Sequence, residues 1–255
     1  MKRYTLLILV ILSLAFSVKV YAQQDAERWF EQANAAYNAG SYDTALMLYD
    51  QVVATELESV PLYFNMGNAY YKMREYPMAI YYYEKALKID PGNEDVRTNL
   101  AIANLAIVDK IEEVPQSFIV KGWNGLKNAF SGQQWTVLSL MAFALLLVSA
   151  FLFLRARRMG MRKLGFFMGL VMLLVFALSV IFAAQLKQAS MTEDQAIIMA
   201  PTVTVKSTPN EVSVDLFVLH EGTKVEILDH ADGWNKIKIG NGSIGWLQAD
   251  YMRSF

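Results

Sequence analysis

The chain has 255 residues, 55% of them hydrophobic and only 18% charged, with a formal net charge of -1 and a mean hydropathy of +0.25. Soluble domains carry about 25% charged residues, so part of this chain is expected in lipid, and the near-neutral balance argues against nucleic acid as a partner. There are no cysteines, which excludes disulfides, zinc–thiolate sites and cysteine nucleophiles.

The N-terminus reads MKRYTLLILVILSLAFSVKVYAQQ. Lys2 and Arg3 precede an apolar run from Thr5 to Ser17, and Val20-Tyr21-Ala22 offers a small-residue cleavage site. This is the layout of a secretory signal peptide over residues 1–22. An uncleaved anchor is the alternative, and Lys19 leaves it open. Either way the following residues are expected to be exported.

Residues 26–110 repeat with a period of 34: Trp29 with Tyr63, Asn34 with Asn68, Tyr37 with Tyr71, Tyr42 with Tyr76, Ala45 with Ala79, Tyr49 with Tyr83. Small residues such as Gly67, Ala79 and Ala86 allow two helices to cross closely, and Asp90-Pro91-Gly92 stops the second helix. Period, spacing and residue types resemble the tetratricopeptide repeat. The unit from Val60 matches well, and the unit from Ala26 to Ser59 less so. A third begins at Glu94 and resembles a capping helix. Two repeats and a cap are fewer than the three usually required, so the domain is expected to be marginal alone, or to lean on the membrane, a second copy or a partner. The resemblance implies an all-α stack whose concave face carries Phe30, Asn34, Tyr37, Phe64, Asn68, Tyr71 and Lys72. On that reading the asparagines bond a peptide backbone, the tyrosines give apolar contact and Lys72 pairs with a carboxylate. Ordinary consensus residues without a ligand are the alternative. From Asp25 to Glu113 there are fifteen acidic and seven basic residues. That favours a cationic partner or simply a solvated acidic surface.

Residues 115–134 read as an amphipathic juxtamembrane helix, with Ile119, Trp123, Leu126 and Phe130 at helical spacing. Residues 135–154 and 164–184 are uncharged and long enough to span a bilayer at 1.5 Å per residue. Between them, residues 155–163 carry Arg155, Arg157, Arg158, Arg162 and Lys163 with no acid. A basic residue at mid-membrane costs roughly 2.5–3.5 kcal/mol, so this stretch is expected in water. Short basic loops stay cytoplasmic, which places both flanking domains outside: an inner-membrane protein with two spans and periplasmic N- and C-terminal domains. Neither span holds an ionisable residue, so no ion path is written there.

From 195 to 255 the pattern changes to period two, with turn signals at Pro209-Asn210, Glu221-Gly222, Asp232-Gly233 and Asn241-Gly242. The segments VTVKSTPN, LHEGTKVEIL, GWNKIKIGNG and GWLQADYM resemble a bacterial SH3-like domain, an all-β small barrel. That resemblance implies an aromatic groove for cell-wall peptides or protein segments, with Trp234, Trp246 and Tyr251 as candidates. Tryptophans filling the core of so small a barrel are the alternative.

Only two histidines occur, His220 and His230, and no zinc spacing, nucleophile elbow or phosphate loop is present. The chain is therefore read as having no catalytic site, metal site or cofactor. The whole order of elements resembles the BatE-like aerotolerance family. This implies a scaffold beside membrane proteins with von Willebrand A domains, connected indirectly to a MoxR-type ATPase. A wall-tethering protein whose barrel binds peptidoglycan peptide is the alternative.

Overall fold

The computed structural model describes residues 24–111, 115, 117–192 and 194–255. The expected signal peptide lies outside them. Five helices form the first part: α1 (24–38), α2 (Tyr42–Val53), α3 (Val60–Lys72), α4 (Tyr76–Ile89) and α5 (Glu94–Asn104). Their starts are set by local chemistry. Ser59 accepts a hydrogen bond from Leu62 N with Pro61 in the first turn, and Asn93 accepts one from Val96 N. Successive helices pack as antiparallel pairs around Tyr49, Leu62, Tyr63, Met66, Ile80 and Tyr83, all buried. The Tyr83 ring sits where a side chain on residue 67 would stand: a Cβ there would be 2.6 Å from two ring carbons, so only glycine fits.

The next helix, α6 (Phe118–Lys127), buries no residue of its own. Its Trp123 meets the Phe182 ring edge-on at 4.9 Å, and Trp135 lies 4.9 Å from the same ring. Trp135 Nε1 donates to Lys127 O at 2.8 Å. Two long apolar helices follow, α7 (Gly132–Arg155), opened by a reciprocal Ser131–Gln134 cap, and α8 (Met159–Met191). Both are long and apolar enough to cross a bilayer. They pack along small residues: a Cβ on Gly165 would come within 2.8 Å of Phe153 N and 2.9 Å of Ser149 O. Gly165→Leu is therefore expected to push the helices apart. A Cβ on Gly169 would stand 3.5 Å from the Ser149 Cβ, so a cysteine pair at Ser149 and Gly169 should cross-link readily in the otherwise cysteine-free chain and lose that ability with Gly165→Leu. Retained cross-linking would refute this packing.

The turn joining the two helices leaves only Ala156, Arg157 and Arg158 outside helix, with Arg162 and Lys163 in the opening turns of α8. At the other end Gly132 meets Leu186, and Lys88 of α4 donates to Thr192 O. The helical repeats and the C-terminal part therefore share one end of the hairpin, and the basic turn occupies the opposite end.

Seven strands follow: β1 (Gln195–Ile198), β2 (Thr202–Lys206), β3 (Asp215–His220), β4 (Lys224–Ala231), β5 (Trp234–Lys238), β6 (Ile244–Gln248) and β7 (Met252–Ser254). They form one antiparallel sheet in the order β3-β2-β6-β5-β4-β1-β7. The expected closed barrel is not what forms: the sheet is open, with β3 and β7 at its two edges. Residues from both halves, including Leu219, Val225, Ile198 and Leu247, nevertheless share one core, so the sheet curls. The tight two-residue turn falls at Asp232-Gly233, both at positive φ, as a primed hairpin turn requires. Asn241-Gly242 lies instead within a longer loop, 239–243.

Closure is replaced by docking. The β7 edge turns to the repeats, where the Arg253 guanidinium stacks 4.6 Å from the Tyr81 ring. Ile197 and Phe255 are buried in the repeat core, Phe255 edge-on to Tyr81 at 5.7 Å. Lys224 pairs with Glu84 at 2.7 Å. Beyond α5, Ile107 packs on Gly222, and the Asp109 carboxylate accepts from His220 N and Thr223 Oγ1, both at 2.7 Å. The support expected from elsewhere comes from the chain's own sheet.

Candidate functional site

The sheet packs on α4, away from the side of α1 and α3 that carries the residues expected on a concave face. Side chains there recur with the repeat. Phe30 lies 5.9 Å from Tyr49 and Phe64 6.1 Å from Tyr83, each a first-helix ring against a second-helix ring. Tyr37 meets Tyr42 at 5.4 Å and Tyr71 meets Tyr76 at 5.6 Å, both edge-on. All seven concave candidates are accessible: Phe30, Asn34, Tyr37, Phe64, Asn68 and Tyr71 are half-buried and Lys72 is exposed.

The two asparagines have a more defined role than their sequence positions convey. Asn34 Oδ1 accepts from Tyr49 OH at 2.6 Å and from Asn65 Nδ2 at 2.9 Å. Asn68 Oδ1 accepts from Tyr83 OH at 2.7 Å and from Asn99 Nδ2 at 2.7 Å. Both lone pairs of each oxygen are thereby used. Among the described residues neither Nδ2 group has a protein acceptor, so each asparagine presents N–H donors and no acceptor. Burial pushes the Tyr49 hydroxyl up to about 12 and raises that of Tyr83 too, so both remain donors at neutral pH. Lys72 ends α3 with no ionic partner among the described residues.

Asn65, Asn99, Tyr49 and Tyr83 are the parts of this network that the sequence reading did not assign to the face. A signal existed for them: Asn65 and Asn99 stand 34 apart, so the period runs on into the third unit.

The second candidate set is divided. Along β5 and β6, Asn235, Ile237, Gly245 and Leu247 point to the core, while Trp234 and Trp246 are half-buried and outside it. The register pairs Trp234 with Gln248 and Trp246 with Lys236, making the tryptophans diagonal neighbours on the outer face. Lys206 flanks Trp246 from β2. Tyr251, in the short turn before β7, is 40% exposed and makes no ring contact with either among the described residues. A cleft of about 770 Å³ opens between the end of α5 and the sheet. Glu84 and Asp109, on its walls, are already bonded to Lys224 and to the β3–β4 turn.

Residues 60–93 match the family described as Tetratricopeptide repeat. Over 65 residues the chain is 38% identical to tetratricopeptide repeat protein 6 of Homo sapiens, a match spanning 26% of this chain and 12% of that protein. The chain therefore aligns with about an eighth of that relative. Repeats of this type generally mediate contacts between proteins.

Proposed function

We propose that this chain is a non-enzymatic adaptor, fixed in the inner membrane by the α7–α8 hairpin, with its repeats and sheet on the periplasmic side holding protein partners. The observation that carries the reading is the pair of outward-facing amide donors on Asn34 and Asn68, set among Phe30, Phe64, Tyr37 and Tyr71. Two N–H donors in a row of aromatic rings suit the carbonyl groups and side chains of an extended peptide. Lys72, exposed at the end of the row, suits a carboxylate. The bilayer is the other partner, held through the two apolar helices with the basic turn on the cytoplasmic side. The resemblance to the BatE-like family extends the proposal to partners with von Willebrand A domains and, through them, a MoxR-type ATPase.

A photo-crosslinking amino acid at Tyr71 in intact cells tests it. Capture of a membrane protein, lost when Lys72 and Asn68 are replaced by alanine, is the expected result. Absence of any Lys72-dependent adduct in folded protein would overturn the reading.

A second reading rests on the outer face of the sheet. Trp234 and Trp246 lie outside the core and beside Lys206 and Lys236, a surface able to take a peptidoglycan peptide on an SH3-like domain. Titration of the full chain with soluble muropeptides, following tryptophan fluorescence, separates the two. Binding abolished by Trp246→Ala would favour the wall.

A further inference from the structure

The basic turn of the hairpin lacks a counter-charge. Arg155, Arg157, Arg158, Arg162 and Lys163 lie close together in the chain, and no Asp or Glu occurs from 114 to 192. Among the described residues none of the five has an acidic partner. No side chain caps α8, so the positive end of its backbone dipole adds to the same turn.

Beside these cations the two long helices leave space between them. A groove of about 260 Å³ runs along their seam, walled by Leu146, Ala150 and Phe153 of α7 and by Phe166, Gly169 and Leu170 of α8. Ala150 and Gly169 are too short to fill it. Ala150, Phe153, Phe166 and Leu170 are all exposed, so the groove opens outward. Phe153 joins the groove to the turn. Its ring lies 6.0 Å from that of Phe166, and the Arg162 guanidinium sits over it at 5.5 Å. Cation–π attraction thereby holds one arginine at the mouth of the groove.

We propose that the groove and the turn together bind one anionic phospholipid, with an acyl chain along Ala150 and Gly169 and the phosphate on Arg162. The arginine fork matches phosphate oxygens, and basic pockets between membrane helices hold anionic headgroups. A free anion would leave the apolar groove empty. An apolar helix in the groove would leave five cations unmatched. A phospholipid answers both, because Phe153 places the two features within one molecule's reach. The proposal rests on the reading that the hairpin lies in a bilayer, and is independent of the concave face and the sheet.

The test ejects the full chain from nanodiscs of phosphatidylglycerol and phosphatidylcholine with matched acyl chains, and counts the retained lipids by native mass spectrometry. A single phosphatidylglycerol per chain is expected, retained roughly tenfold over phosphatidylcholine. Arg162→Gln should abolish that preference, whereas Lys163→Gln, which removes the same charge, should leave most of it. Ala150→Phe fills the groove from its open side and should release the lipid with all five cations still present. Cross-linking of cysteines at Ser149 and Gly169 should persist in each variant, which shows the hairpin intact. Equal losses from Arg162→Gln and Lys163→Gln would mean diffuse attraction and overturn the site, as would lipid retention indifferent to Ala150→Phe. A dimer without lipid that Ala150→Phe dissociates would assign the groove to a second copy instead. Each of these results leaves the bilayer reading standing. A chain that washes off vesicles in alkaline carbonate would overturn that reading and the site together.

Discussion

Tyr83→Ala is expected to destabilise the repeats by about 3–5 kcal/mol, the usual cost of removing a buried aromatic side chain. The ring is 1% exposed, fills the space left by Gly67 and packs on Phe64. Its hydroxyl also holds Asn68. Few second-helix residues serve packing and the concave face at once, and this one does. Hydrogen exchange of α3 and α4 amides in the full chain should show the loss directly. Tyr83→Phe removes only the hydroxyl, for about 1 kcal/mol, and leaves Asn99 on Asn68. If Tyr83→Ala and Tyr83→Phe gave the same small change, the ring could not be the keystone of the second repeat.

The second large effect is expected at Asp109. Replacing it with alanine strands His220 N–H and the Thr223 hydroxyl, and Thr223 is only 3% exposed. Losing hydrogen bonds to a charged acceptor in such a place costs about 3 kcal/mol, all of it drawn from the contact between repeats and sheet. Because the chain has no cysteines, spin labels on cysteines introduced at Met47 and Val212, both well exposed, report that contact cleanly. A sharp distance distribution should broaden in Asp109→Ala, and an unchanged one would refute the lock. Acid should act the same way. Burial alone would raise the Asp109 carboxyl, but the bonds from Thr223 and His220 outweigh it and hold the group below its ordinary range. Its stabilisation is therefore present above the unfolded value of about 3.9 and disappears as pH falls through the lower native value.

Much of this was legible in the residues, for definite reasons. A period of 34 is a covalent fact, and helical packing follows it because each unit must bury the same face. Two uncharged runs split by five basic residues admit few arrangements other than a hairpin. The sheet was less legible. Alternation identified its strands, but strand pairing depends on where the last strand goes, and here Phe255 and Ile197 find a better apolar partner in α4 than in β3. Local pattern does not encode a contact between residues more than a hundred positions apart. The concave candidates illustrate the same limit: Asn34 and Asn68 were visible, yet their donor-only character depends on Tyr49, Asn65, Tyr83 and Asn99 from neighbouring helices.

The docking of sheet on repeats also imposes an order on biosynthesis. Asp109 waits for His220, 111 residues later, Glu84 for Lys224, 140 later, and Met78 for Arg253, 175 later. Both long apolar helices are made in between. The repeats therefore leave the ribosome without their back support and stay incomplete until the last strand arrives. During that interval Tyr81, Ile80 and the rest of the α4 back face are open to proteases and chaperones. A nascent chain arrested before residue 195 should be cleaved within the repeats far faster than the finished protein.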